Sequence, residues 1–296
     1  MQNHLKILEE ESIKIIRKTY TSSTNPVVLY SVGKDSSVLL HLFRKAFFPE
    51  IPNILFLHID TGWKFKEMIE FRDTILEKYN INYKVYKNIQ GAKDDITPFN
   101  NPRYTDIMKT DALKKALKEG KYDFIYGGAR RDEESSRSKE KILSHRDKNN
   151  QWDPKNQRLE PWNIFNTRLN DGESFRVFPL SNWTELNIWE YIKSENIEIV
   201  DLYYAKFRDV ILKNGQYFLY DDDRFEVSNK DIITNEKIRF RTLGCYPLTA
   251  GVLSEANTIN KIINELKSSN FSERSGRLID HDKLGSMELK KRDGYF

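Results

Sequence analysis

A chain of 296 residues, 39% hydrophobic and 31% charged, can bury one large core or one main core with an appendage, which excludes an intrinsically disordered protein. Its 48 basic and 44 acidic residues nearly cancel to +4, a mixed surface rather than the dense basic stripe of a dedicated nucleic-acid binder. No apolar run approaches the roughly 18 residues of a membrane span, and a single cysteine, Cys245, excludes an internal disulfide framework and agrees with a reducing cytoplasm.

The chain opens with "MQNHLKILEEESIKIIRKTY", which lacks the basic-then-apolar layout of a signal peptide. It predicts an amphipathic helix with Leu5, Leu8, Ile15 and Ile16 toward the core. Four apolar runs then alternate with helical patterns. Residues 27–30 ("VVLY") precede a helix through Val38, Leu39, Leu42 and Phe43, and residues 54–59 ("ILFLHI") precede one through Met68, Phe71 and Ile75. Residues 83–86 ("YKVY") are followed, after a long loop, by "DALKKALKEG", whose closing Gly120 suits a helix stop. Residues 124–126 end in Gly127-Gly128. Strands alternating with helices at this spacing predict parallel β-α units with right-handed crossovers.

Farther along, residues 175–180 ("FRVFPL") suggest another strand, and Thr184 can N-cap the helix "ELNIWEYIKSE". "DVILKNGQYFLYDDD" predicts a hairpin about Asn214-Gly215. "LSEANTINKIINELKSS" predicts a helix that buries Ile259, Ile262, Ile263 and Leu266. Residues 272–296 are polar, basic and poor in core residues. The expected fold class is therefore α/β: a doubly wound, mostly parallel sheet with an irregular C-terminal extension. A soft boundary near residue 195, where the β-α alternation gives way, separates an α/β domain, 1–195, from an extension, 196–296.

The turn after the first strand, Ser31-Val32-Gly33-Lys34-Asp35-Ser36-Ser37, is the strongest local signal. A loop at the carboxyl end of a parallel strand that opens a helix gathers backbone N–H groups and the positive end of the helix dipole, a site for an anion. Gly33 permits close approach, the serines add hydroxyl donors, Lys34 adds charge, and Asp35 makes sense as a magnesium ligand or as an orienter of the turn. It is not a Walker A loop, because Val28 stands where that motif needs glycine and Asp35 where it needs Ser or Thr.

Other strand ends add to it. Asp60, in "HIDTGWKF", sits where a carboxylate can accept from a ribose or a base amino group, or can cap the next helix. Gly127 and Gly128 are followed at once by Arg130 and Arg131, with Arg137 beyond, a grouping that fits bidentate recognition of phosphate or sulfate, although Asp132, Glu133 and Glu134 could simply neutralise it. "FRTLGCYPLT" brings Arg241, Gly244 and Cys245 into a loop, where the lone cysteine is better explained as a small core residue than as a nucleophile. The five histidines are scattered without metal-ligand spacing. Trp63 and Trp183 lie beside the site loops and could cover a base, whereas Trp152, Trp162 and Trp189 are expected to pack.

Taken in order, the blocks "YSVGKDSSVLLHLFRKAF", "DTGWKFKEMIEFRD", "TDIMKT", "GGARRDEESSRSKEKI", "WDPKNQR", "FRVFPLSNWTELNIWEYI", "FRTLGCYPLT" and "SERSGRLIDHD…GSMELKKRDGYF" closely resemble the small subunits of bacterial sulfate adenylyltransferases (ATP sulfurylases). These belong to the PP-loop adenylyltransferase and adenylyl-sulfate reductase superfamily, with an adenine nucleotide alpha hydrolase-like fold. The resemblance implies conversion of ATP and sulfate to adenylyl sulfate and pyrophosphate in sulfate assimilation and cysteine biosynthesis, with Mg²⁺. It also implies a large GTPase subunit as partner, alone or fused to an adenylyl-sulfate kinase, and no nucleic acid or membrane.

By the same resemblance Ser31, Gly33, Lys34, Asp35, Ser36 and Ser37 match the pyrophosphate-binding loop. Lys34 would serve the β- and γ-phosphates, Arg130 and Arg131 catalysis and sulfate, Arg137 and Arg241 sulfate, and Asp60, Gly127 and Gly128 the nucleotide. Asp35 would share Mg²⁺. Val32 departs from the double glycine of the wider superfamily, and Tyr104 stands where the pattern leads one to expect histidine. The rival readings are a reductase of adenylyl or phosphoadenylyl sulfate, which needs an attacking cysteine, a PP-loop adenylase that modifies RNA, which wants a basic docking surface, and a non-catalytic nucleotide binder.

Overall fold

The computed structural model describes residues 3–229 and 231–268. The N-terminal pattern forms helix α1 (Asn3–Ser22), and Leu5, Leu8, Ile15 and Ile16 are all buried. Chain order then runs β1 (Val27–Leu29), α2 (Lys34–Ala46), β2 (Leu55–Asp60), α3 (Lys66–Lys78), β3 (Tyr83–Lys87) and the short α4 (Ile89–Lys93). A π-helical turn (Asp106–Asp111) leads directly into α5 (Ala112–Gly120), which stops at Lys121 in the left-handed region, one residue past the predicted glycine. Strands β4 (Phe124–Tyr126), β5 (Leu143–Arg146) and β6 (Ser174–Val177) follow, then α6 (Glu185–Glu195). The predicted cap of α6 is a full capping box between Thr184 and Asn187.

Six strands make one sheet in the order β3-β2-β1-β4-β6-β5. All neighbours are parallel except the edge strand β5, which runs antiparallel to β6. Alternation along β1 explains the layering: Val28 joins α1, α2 and α3 on one face, and Val27 joins Leu113, Ala116 and Leu117 of α5 on the other. The strand order reverses at β1, so the loops after β1 and β4 part to opposite faces, and the crevice that opens there is where doubly wound sheets bind ligands.

Beyond residue 195 the chain builds a second, four-stranded antiparallel sheet, ordered β10-β9-β7-β8 from β7 (Lys206–Lys213), β8 (Gln216–Leu219), β9 (Ile233–Arg239) and β10 (Val252–Leu253). The predicted hairpin is present, with Lys213 paired to Gln216 and Asn214 and Gly215 at φ of 50° and 75°. This matches the twist of the strands as a primed turn does. Helix α7 (Ile259–Ser268) buries Ile262 and Ile263 and packs Ile259 and Leu266 against the same core. That core is continuous across residue 195, joining Val210, Ile211, Phe218 and Ile238 to Leu39 and Trp189. The tail read as polar and basic, 272–296, lies outside the described residues.

Two sequence expectations about tryptophan change. Trp162, expected to pack, is 90% exposed, on a turn where its own φ is 51°. Trp183, considered as a cover for a base, is instead buried, and its Nε1–H donates to Ser12 Oγ at 3.0 Å.

Candidate active site

A cavity of about 220 Å³ opens at the carboxyl ends of β1, β2 and β4. Its walls come from both sides of the switch point: Tyr30, Ser31 and Gly33 to Ser36, then Gly127 to Ala129, and a third wall from Tyr203 and the loop Thr242-Leu243-Gly244.

The loop after β1 owes its shape to packing. Val32 adopts φ 67° while fully buried, and Gly33, one residue later, has an ordinary extended φ of −76°. A β-branched residue in the left-handed region costs about 1–3 kcal/mol, so its surroundings must hold it there. Gly33 offers no side-chain cap to α2, and the Lys34 N–H donates instead to Tyr203 Oη at 2.8 Å. Lys34 is 1% exposed, and its Nζ lies 3.4 Å from Asp35 Oδ2 and donates to the Arg241 carbonyl oxygen at 3.4 Å. Ser36 Oγ donates to Gly33 O at 2.8 Å, and Ser31 Oγ to Ser36 Oγ at 3.3 Å.

The facing loop presses directly on this one. A Cβ on Gly128 would sit 3.1 Å from the Asp35 carbonyl carbon, so only glycine permits the approach without displacement. Arg130 then crosses beneath, fully buried, and its Nε donates to Asp35 Oδ1 at 2.6 Å. This ion pair, whose guanidinium is fully buried and whose carboxylate is 25% exposed, fixes the two loops to each other.

Asp35 therefore orients the turn. Its carboxylate faces two cations, Arg130 and Lys34, and among the described residues there is no cluster of three or more acidic, histidine or cysteine side chains that could hold a metal ion unaided.

Three further expectations are redirected. Arg131 turns away from the cavity: its guanidinium donates to Asn182 Oδ1 at 2.6 Å and to Glu140 O at 3.3 Å. The Arg241 guanidinium pairs with Glu185 at 2.9 Å, and only its carbonyl reaches Lys34. Asp60 lies beside the cavity but is committed to Lys87 Nζ at 2.8 Å and the Gly62 N–H at 2.8 Å. Burial works to raise its carboxyl, and those two partners outweigh burial and hold it below the ordinary carboxylate range. Ser37 is buried just behind the lining residues.

Arg137 lines the cavity. It is held by Glu140, whose Oε2 accepts from Arg137 at 3.1 Å while Oε1 accepts from buried Arg146 at 3.0 Å. Through Ser144 and Arg146 that carboxylate ties the cavity wall to the edge strand β5.

The structure adds residues that no local pattern announced: His58, Lys64, Lys109, Glu133 and Tyr203 all line the cavity. His58 Nδ1 lies 2.8 Å from the Tyr30 carbonyl oxygen, an acceptor only, so Nδ1 carries the proton. Burial, and then the charge of Lys64, push this imidazole down to about 3, which keeps it neutral. Cys245 is buried against Thr61, with Sγ 3.6 Å from Oγ1, so it is the core residue expected.

The sequence has close counterparts among known proteins. Residues 25–251 match the model of the phosphoadenosine phosphosulfate reductase domain family. Sulfate adenylyltransferase subunit 2 of Vibrio parahaemolyticus is 57% identical over 296 residues, covering 99% of this chain and 98% of that protein. The chain belongs to the sulfate adenylyltransferase subunit 2 family. Its counterpart in Proteus mirabilis is 56% identical over 295 residues, with the same coverage. Members of the family are nucleotidyltransferases of the PP-loop type. An FMN adenylyltransferase from Candida glabrata, solved in complex with ATP, superposes with a TM-score of 0.51 at 14% identity, covering 93% of this chain and 88% of that one. At that identity it supports the mostly parallel α/β fold alone.

Proposed function

We propose that this chain transfers the adenylyl group of ATP to sulfate, forming adenylyl sulfate and releasing pyrophosphate. The observation that carries the reading is the apposition of the 31–37 loop, with buried Lys34, to Gly127-Gly128 at the switch point, in a chain of this family. A sulfate oxygen attacks the α-phosphorus in line, the bond to the bridging oxygen of pyrophosphate breaks, and no proton has to move, because sulfate is already ionised at neutral pH. Catalysis then consists of alignment and charge stabilisation. A cavity with a neutral histidine and no nucleophile–base pair is suited to that task.

Lys34 and the start of α2 are assigned to the β- and γ-phosphates, with Ser31, Gly33 and Ser36 shaping the cradle. Arg137 supplies charge from the facing wall, and Arg130 acts as a positioning residue through Asp35. The product is a mixed phosphate–sulfate anhydride with a very good leaving group, so its formation from ATP is uphill and calls for coupling. We assign that coupling to a large GTPase subunit, in keeping with the "subunit 2" names of the relatives, and place the reaction in the cytoplasm. A reductase is disfavoured because Cys245, the chain's one thiol, is buried against Thr61.

The test is pyrophosphate release from ATP with and without sulfate, and with and without the GTPase and GTP. Sulfate-dependent release, stimulated by the partner, is expected; ATP consumption indifferent to sulfate would assign the loop to another acceptor. Lys34→Ala should lower turnover by about 10²–10³-fold with an unchanged melting curve.

A further inference from the structure

The reaction brings two anions together, and the arginines expected to receive the second are mostly spent elsewhere. Arg130 is committed to Asp35, Arg131 to Asn182, and Arg241 to Glu185. The cavity nonetheless carries cationic lining on a different wall. Lys64, 9% exposed, comes from the loop between β2 and α3, and half-buried Lys109 comes from the π-helical turn before α5. Thr242, Leu243 and Gly244 complete that wall.

These three segments are far apart in sequence yet braced to one another. The Tyr246 N–H donates to the Trp63 carbonyl at 2.9 Å, which fixes the 242–246 loop beside Lys64. Tyr104 Oη donates to the Thr61 carbonyl at 3.0 Å, which fixes the segment entering the π-helical turn to the same loop. Thr61 Oγ1 in turn meets Cys245 Sγ at 3.6 Å beneath the wall. A π-helical turn shifts the side chains that follow it around the helix, and such turns are concentrated at functional sites. Here it carries Lys109 at the cavity.

Cys245 reports the resulting field. Burial alone would push its thiol up, but Lys64 first and Lys109 second, with Thr61 and Tyr104, hold it below the ordinary thiol range. Both ammonium groups therefore act on one small volume. Arg137 and Glu133 line the same cavity.

We propose that Lys64 and Lys109, closed in by residues 242–244, are the subsite that receives the acceptor sulfate beside the nucleotide. This rests on the adenylyl-transfer reading above and sharpens it: the nucleotide phosphates take the Lys34 side, and the sulfate takes the Lys64–Lys109 side, from which one oxygen faces the α-phosphorus. Tyr104, in this arrangement, is a positioning residue that holds the two lysine-bearing segments in register.

The test uses the full chain assembled with its partner subunit. Lys64→Met and Lys109→Met keep the stem and remove the charge, and Lys64→Arg and Lys109→Arg restore a charge in a different shape. Each Met variant should raise the KM for sulfate about 10- to 100-fold, the loss of one charge-assisted contact, while equilibrium binding of ATP stays at the wild-type value. The Arg variants should recover part of the sulfate KM. An unchanged sulfate KM, or ATP affinity that falls in step with it, would overturn the subsite. If a Met variant melts early, the Arg variant at the same position decides by the same two constants. Wild-type protein that shows no dependence on sulfate at all would instead remove the adenylyl-transfer reading, and the subsite with it.

Discussion

The two sheets contribute to the cavity in different ways. The parallel sheet is covered on both faces, and its strand ends deliver whole loops, 31–36 and 127–129, whose backbones touch each other across the switch point. The antiparallel sheet is less completely covered and leaves Phe207, Leu212 and Ile233 exposed. Among the described residues, its region lends the cavity Tyr203 and residues 242–244. One region is a frame in which displacement of any part strains the rest. The other is a cover, joined to the frame through the shared core and through hydrogen bonds such as Tyr203–Lys34 and Tyr246–Trp63.

That distinction can be broken most forcefully at Glu140, which serves the frame. It is 3% exposed and accepts from Arg137 and Arg146, the latter completely buried. Glu140→Ala leaves those charges uncompensated and should cost about 3–5 kcal/mol in urea unfolding, more than any substitution in residues 242–244. A loss below about 1 kcal/mol would mean that the frame does not depend on this carboxylate.

A smaller effect belongs to His58, where frame and cavity meet. Its folded pKa of about 3 lies below the ordinary value near 6.5, so the unfolded chain binds the extra proton first as pH falls. The stability contributed by the neutral ring is fully present above about pH 6.5 and declines below it, by about 2 kcal/mol at pH 5. Melting temperature should fall between pH 7 and 5 in the wild type. His58→Gln, which keeps a donor for the Tyr30 carbonyl, should flatten that limb; an equally steep limb in the variant would assign it to other groups.

The smallest effect tests the attachment of the cover. The Lys34 N–H donates to Tyr203 Oη at 2.8 Å, and Tyr203→Phe removes that acceptor while keeping the ring. About 1 kcal/mol should be lost, with a rise in the KM for ATP and little change in that for sulfate. Equal rises in both constants would show that the cover positions the acceptor as well.

The sequence was informative where chemistry and local structure coincide. The alternation of strands and helices, the Thr184 cap, the Asn214-Gly215 hairpin and the 31–37 loop each depend on neighbours within a few residues, and each is found in place. Strand β5 escaped notice because "LSHR" buries Ser144 and Arg146 against Glu140 in place of apolar side chains. Arg131 and Arg137 looked equivalent in one basic run, but the loop's course sends the first to Asn182 and the second to the cavity. Lys64, Lys109 and Tyr203 carry no mark in their own segments. They converge only because the fold brings residues from either end of the chain to one wall, and neither spacing nor composition records such a meeting.

Val32 has a consequence for how this loop meets its ligand. Two adjacent glycines would leave the turn free to wander among many shapes, and binding would have to pay for choosing one of them. A buried valine at φ 67° makes that choice when the protein folds. The strain is met once, by the stability of the whole domain, and afterwards each nucleotide arrives at a mould already set.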